Sequence, residues 1–228
     1  MTNTMDFLLQ RIASLEAPIV LAMAPKADRT LHEDLPEEIL ERALSIMEDV
    51  QDAVVGIFVS VRDFLPYGSG GIAALEAIYE AARELELLVI SDIGVIRFAT
   101  EIPRMTVAFY REEGVFHSDG MSILCPDPAV QELVLEACPN AVIFFHEPTS
   151  HSMMYCAKPQ QAVRNNNLDA FLLIDENGEP SSHFRRSDSR GVLHILRPSA
   201  SIWGEKYKEG ATRSLVFDFA KKILSLGE

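Results

Sequence analysis

The sequence predicts an α/β fold, a (β/α)8 TIM barrel built as a single domain over residues 1–228. Three observations lead there. Short apolar, β-branched runs recur along the chain, both faces of each run are apolar, and helical patterns fill the intervals between them. Strands that are apolar on both faces suit a parallel sheet covered on both sides, since a sheet with one wet face alternates apolar and polar residues. The runs start about 35 residues apart early in the chain and about 20 to 30 apart later, which matches successive strand–helix units. An open doubly wound sheet is the competing arrangement. No G-x-G-x-x-G or Walker pattern follows any run, so the usual phosphate signature of that alternative is missing.

PIVLAM (18–23) opens the series of strands. LPEEILERALSIMEDV (35–50) follows as a helix, with Ile39, Ala43, Met47 and Val50 along one stripe and acids opposite. Pro36, Glu37 and Glu38 belong in its first turn, where proline's fixed φ and a negative charge are both favourable. AVVGIFV (53–59) is the second strand. PYGSGG (66–71) reads as a turn into the helix IAALEAIYEAARELE (72–86), which is rich in strong helix formers. LLVIS (87–91) and MSILC (121–125) are the third and fourth strands, and PAVQELVLEAC (128–138) is a helix that Asp127 is placed to cap. AVIFFH (141–146), AFLLI (170–174), VLHIL (192–196) and SLVF (214–217) complete the set. DENGEPSSHFRRSDSRG (175–191) is a polar loop with one short helix around Ser182 to Arg186.

A formal charge of −14 argues against a general nucleic-acid or anionic-membrane surface, both of which need a basic field. Hydrophobic content of 48% is enough for a full core. Cys125, Cys138 and Cys156 are too few and too irregularly spaced for a disulfide framework or a paired-cysteine zinc site, so buried free thiols are expected. MTNTMDFLLQRIASLE lacks a basic leader followed by an apolar core, and no segment reaches the length of a membrane span; a soluble cytoplasmic protein is the expectation.

A barrel carries its site at the carboxyl ends of its strands. The polar residues there are Ser60, Arg62 and Asp63, then Ser91 and Asp92, Cys125 and Asp127, His146 and Glu147, Asp175 and Glu176, then Arg197, Ser199 and Ser201, with Arg213 and Asp218 flanking the last run.

The order PIVLAMAP (18–25), IFVSVRDFLPYGSGGIAALEAIYEAAREL (57–85), LLVISD (87–92) resembles the bacterial group of orotidine 5′-monophosphate decarboxylases. AVIFFHEPTSHS (141–152), AFLLIDENGEPSSHFRRSDSRGVLHILRPSAS (170–201) and TRSLVF (212–217) extend the resemblance more weakly. It implies the barrel, a phosphorylated small-molecule ligand, a homodimer and no cofactor. It also implies an alternating array of lysine and aspartate, with one lysine at the end of strand two and Asp-x-Lys-x-x-Asp after strand three. Such an array places a carboxylate against the substrate carboxylate and an ammonium beside the carbanion it protonates.

This sequence departs from that array. Asp92 holds the first aspartate position, but Gly94 stands at the lysine position and Arg97 at the second aspartate. Phe58 or Val59 replaces the strand-two lysine, and Ala24 replaces the aspartate of strand one. Glycine has neither a proton nor a charge to offer a carbanion, so loss of decarboxylase activity is expected. At the phosphate end, Arg197-Pro198-Ser199-Ala200-Ser201 keeps the proline of the family's turn and replaces its glycines. The hydroxyls of Ser199 and Ser201 can still donate hydrogen bonds, and Arg213 corresponds to the family's phosphate arginine.

Each singled-out residue also has a plainer role. Asp92 could cap a helix or pair with a base such as Arg97. His146, Glu147, His151 and Cys156 fit no metal-ligand spacing and read as ordinary polar positions, so no metal is expected. Arg185, Arg186 and Arg190 form either a lid over a phosphate or a solvated loop balanced by Glu179 and Asp188. Three functions stay open: a decarboxylase-like barrel that has lost its chemistry and binds a nucleotide, phosphate or protein; a lyase or other enzyme acting on a phosphorylated small molecule through Asp92; and an authentic decarboxylase of pyrimidine biosynthesis.

Overall fold

The computed structural model describes residues 10–11, 14–15, 18–25, 35–139, 141–148, 153–157, 171–175, 192–196, 203 and 210–225. Eight strands close into a barrel in sequence order: β1 (Ile19–Met23), β2 (Gly56–Ser60), β3 (Leu88–Val95), β4 (Gly120–Leu124), β5 (Val142–Pro148), β6 (Met153–Ala157), β7 (Phe171–Asp175) and β8 (Val192–Leu196). The helices are α1 (Leu35–Val50), α2 (Val61–Phe64), α3 (Gly68–Glu84), α4 (Ile102–Met105), α5 (Pro128–Ala137) and α6 (Ala211–Ser225).

Alternation along each strand sorts its side chains into two layers. Odd-numbered residues of the first three strands, among them Ile19, Leu21, Met23, Ile57, Val59 and Val89, pack outward with Ile39, Met47, Leu75, Ile78 and Phe219 of the helices. Even-numbered ones, Val20, Ala22, Phe58, Leu88 and Ile90, face the barrel interior with Val142, Phe144, Leu193 and Ile195. Further round, Met121, Ile123, Ile143 and Phe145 pack outward on Val130 and Val134 of α5. The stripe expected on α1 is fully buried, and Asp127 accepts the Ala129 N–H at 2.9 Å as the cap of α5.

The structure corrects the expected strand list in two places. SLVF is not a strand: it lies within α6, where Thr212, Val216, Phe219 and Ala220 are buried at helical spacing. The short apolar run is half of that stripe. The barrel closes instead between β8 and β1, in parallel, with Ile19 opposite His194. The eighth strand is β6, MMYCA, and it runs antiparallel to both β5 and β7 while every other pairing is parallel. Four residues separate β5 from β6, too few for the crossover that a parallel pair requires. AFLLI and VLHIL therefore become the seventh and eighth strands.

A third correction concerns PYGSGG, which starts a helix rather than a turn: α3 begins at Gly68. The glycines permit close packing, since a Cβ on Gly71 would lie 2.4 Å from the Phe64 carbonyl oxygen and one on Gly70 2.6 Å from Pro36 Cγ.

Candidate functional site

The carboxyl end of β3 carries Asp92, and both its carboxylate oxygens accept hydrogen bonds. One carboxylate oxygen accepts from Arg62 Nη2 and from Ser60 Oγ at 3.2 Å, and the other accepts the Gly94 N–H at 3.0 Å. The partner expected from sequence was Arg97, five residues on. That residue's N–H donates to Glu101 instead, at 2.7 Å, and the Phe98 N–H does so at 2.9 Å; these two bonds lower the Glu101 carboxyl below its usual range. Arg62 reaches Asp92 because α2 starts directly after Ser60, the last residue of β2, and Ser60 stands opposite Asp92 in the ladder. The Asp92 side chain is 10% exposed and that of Arg62 63%, so the pair straddles the rim.

Gly94 shapes the rim from the other side. The β3–β4 register shifts between Asp92 and Gly94, a bulge that turns the Gly94 amide back onto the carboxylate. Its φ of 81° lies in the left-handed region, where a residue without Cβ is unstrained. A Cβ at this point would be 3.9 Å from the Arg62 guanidinium carbon, an ordinary contact, so the backbone conformation and not space is what favours glycine.

Below the rim the register places Ser60, Asp92, Ser122 and Phe144 in one row across β2 to β5. The next row inward is Phe58, Ile90, Gly120 and Val142. The Phe144 ring leans over Gly120, where a Cβ would meet its Cε2 at 3.6 Å. The interior at this level is thus a polar arc over an apolar floor. Ser122 was not singled out from sequence, although it is a lone hydroxyl at an interior position, as Ser60 is. At the inward position of β2 stand Phe58 and Ser60; Val59 packs outward.

Ser91, beside Asp92, points the other way. It bonds the Tyr79 hydroxyl and, at 2.5 Å, Ser118 Oγ, which in turn donates to the Phe116 carbonyl at 2.7 Å. Burial pushes the Tyr79 phenol up to about 12, so this chain is neutral and joins α3 to β3.

Arg213 does not join Asp92. It lies in the first turn of α6 and forks onto Asp52, with Nη1 to Oδ1 at 2.5 Å and Nη2 to Oδ2 at 2.7 Å. Its backbone N–H donates to Asp49 Oδ2 at 3.0 Å, and its guanidinium lies 5.2 Å from the Phe217 ring centroid. Asp52 precedes β2, whereas Asp92 stands opposite the last residue of β2; the two clusters occupy opposite ends of the barrel. The hydrogen bonds from Arg213 lower the Asp52 carboxyl, and those to Asp52 raise the guanidinium. Ser199, Ser201, His151 and the arginines at 185, 186 and 190 lie outside the described residues. Among the described residues, no three His, Cys, Asp or Glu side chains gather in a way that could hold a metal ion.

No family model matches the chain, and no curated protein matches it in sequence. Solved structures do match. A crystal structure from Streptomyces avermitilis that carries the name orotidine 5′-phosphate decarboxylase superposes with a TM-score of 0.70 at 14% identity, over 100% of this chain and 96% of that one. The orotidine 5′-monophosphate decarboxylase of Plasmodium berghei gives 0.67 at 10% identity, over 98% of this chain and 99% of that one. The Leishmania donovani UMP synthase gives 0.65 at 13% identity, covering 97% of this chain and 57% of its own. The fold is that of the orotidine 5′-monophosphate decarboxylases. On this decarboxylase fold, the group placed against Asp92 is the Arg62 guanidinium, and nothing projects from position 94.

Proposed function

We propose that the protein is an orotidine 5′-monophosphate decarboxylase-like barrel that has lost decarboxylation and binds a nucleotide or other phosphorylated small molecule at the carboxyl ends of its strands. The observation that carries this reading is the engagement of Asp92 by Arg62, Ser60 and Gly94. A carbanion at this site needs a cation that can also release a proton. A guanidinium supplies the charge, but its pKa above about 12 keeps its protons at any working pH. Asp92 in turn offers its charge to Arg62 and has none uncommitted with which to destabilise a substrate carboxylate. What remains suits binding: an arginine at the rim whose side chain is 63% exposed, hydroxyls on β2 and β4, and an apolar floor of Phe58, Ile90 and Val142.

The fold neighbours carry the names of enzymes that act on orotidine monophosphate and of a UMP synthase, which makes uridine monophosphate the first ligand to try. The resemblance further supports a homodimer, and the free thiols of Cys125 and Cys138 suit the reducing cytoplasm. Among the described residues no helix is long and apolar enough to cross a membrane.

Two assays test the proposal. Purified protein incubated with orotidine monophosphate should leave its absorbance unchanged, and uridine monophosphate should raise the unfolding temperature, since a ligand selective for the folded state stabilises it. Turnover that copurifies with the protein and is lost in Asp92→Asn overturns the loss of chemistry. A nucleotide and phosphate panel that leaves the melting curve unmoved overturns the binding site.

A further inference from the structure

We infer that Ser122 is a ligand-binding hydroxyl, which takes an uncharged hydrogen-bonding group at the inner end of the bound molecule. This rests on the proposed ligand site and names the chemistry it selects. Ser122 is completely buried, and its Oγ has no hydrogen-bond partner. Buried hydroxyls are almost always paired, so an orphan calls for a specific cause. The contrast within this protein is direct: Ser60, Ser91 and Ser118 are equally buried, and each makes a hydrogen bond. Among the described residues, Ser122 is the one strand side chain left in this condition.

Its direction follows from its neighbours. Met121 and Ile123 pack outward against α5, so the residue between them faces the interior. There it shares a row with Asp92 on one side and Phe144 on the other, directly beneath the Arg62–Asp92 rim.

Charge then selects what can fill the place. Asp92 is one strand away, about 4.8 Å across the sheet, and Arg62 is already committed to it. A ligand carboxylate at Ser122 would be buried beside an apolar floor with no cation to receive it, since Arg62 is held by Asp92. An alkyl group would leave the hydroxyl orphaned. A carbonyl, amide or hydroxyl satisfies Ser122 and lies flat on the Phe58, Ile90 and Val142 floor, which leaves any phosphate at the outer end. The site therefore favours uridine monophosphate over its carboxylated counterpart, orotidine monophosphate.

Calorimetric titration of the full chain with both nucleotides, on wild type, Ser122→Ala and Ser122→Cys, tests this. Alanine is smaller than serine and cysteine slightly larger, and neither hydrogen-bonds as serine does, so a loss shared by both separates the hydroxyl from a packing effect. Wild type should bind uridine monophosphate at least about tenfold more tightly than orotidine monophosphate, and each variant should lose about tenfold for the former. Without ligand, Ser122→Ala should melt no lower than wild type, because it removes a hydroxyl that has no partner. Equal binding by wild type and both variants overturns this inference alone, and so does a lower melting temperature for unliganded Ser122→Ala. Preference for orotidine monophosphate overturns the uncharged inner end. A wild type that ignores both nucleotides overturns the ligand site together with it.

Discussion

If Arg62 is what holds Asp92, removing either should weaken the fold by an amount the other controls. Arg62→Met deletes the guanidinium and keeps most of the stem. The Arg62 side chain is 63% exposed, which places its side of the pair near the exposed range of about 0–1 kcal/mol. Asp92 is 10% exposed, and loss of its cation leaves a largely buried carboxylate on Ser60 Oγ and the Gly94 N–H alone; full burial would cost about 3–5 kcal/mol. Between these bounds, and discounting for solvent at the rim, Arg62→Met should cost about 1–2 kcal/mol. For a chain of this length each kcal/mol moves Tm by about 2–4 °C. Asp92→Asn removes the charge and keeps one acceptor, so its cost should be similar. The double variant should then be little worse than Asp92→Asn alone, with a coupling energy of about 1 kcal/mol, which falls in about 1 M salt as exposed charges are screened. Denaturant midpoints for the four proteins measure it. Costs that simply add, or an Arg62→Met protein as stable as wild type, refute the pairing as the feature that organises the rim.

Gly94→Ala should destabilise by about 1–2 kcal/mol through left-handed strain, and Gly94→Asn by clearly less, because asparagine visits that region more readily; equal urea midpoints for the two would refute left-handed strain as the cause. Asp119 accepts the Val89 N–H at 2.9 Å, and burial raises its carboxyl above the ordinary 3.8. A raised acid destabilises the folded state at pH above its folded value, and that penalty fades as pH falls through that value and is gone below the unfolded one. Asp119→Asn should therefore stabilise near neutrality and show no gain below about pH 3.8 in denaturant titrations across pH. Burial pushes the Cys138 thiol up to about 12, so peptide mapping after iodoacetamide treatment at about pH 8 should find it unmodified until the protein is unfolded.

The barrel was legible because seven apolar runs coincide with seven strands, and because the stripe on α1 and the Asp127 cap are local patterns. MMYCA was missed although it is apolar and bounded by polar residues, since a search for strands alternating with helices passes over one that follows its neighbour after four residues. SLVF misled for the opposite reason: four apolar residues do not reveal a period, and the stripe that decides the matter extends to Phe219 and Ala220. Arg213 matched the family's phosphate arginine by order along the chain. Once its segment is helical, that order no longer leads to the rim, and the nearby acids Asp49 and Asp52 take its charge.

The site itself was half legible, and the missing half is tertiary. Asp92 was visible as the one member of the array still in place, but its partner comes from thirty residues earlier in sequence and depends on where β2 ends. The register also explains why arginine at 62 and glycine at 94 belong together. A lysine at 94 would need a β-carbon at a backbone φ of 81°, within van der Waals contact of the guanidinium, and would set a second cation against the first. The bulge between Asp92 and Gly94 turns the Gly94 amide onto the same carboxylate that Arg62 holds. Arg62 and the glycine bulge thus form one arrangement that neutralises Asp92 from both sides. If that arrangement is what replaced the lysine–aspartate array, Gly94→Lys alone should leave orotidine monophosphate unconsumed, and turnover by that variant would refute the coupling of the two positions.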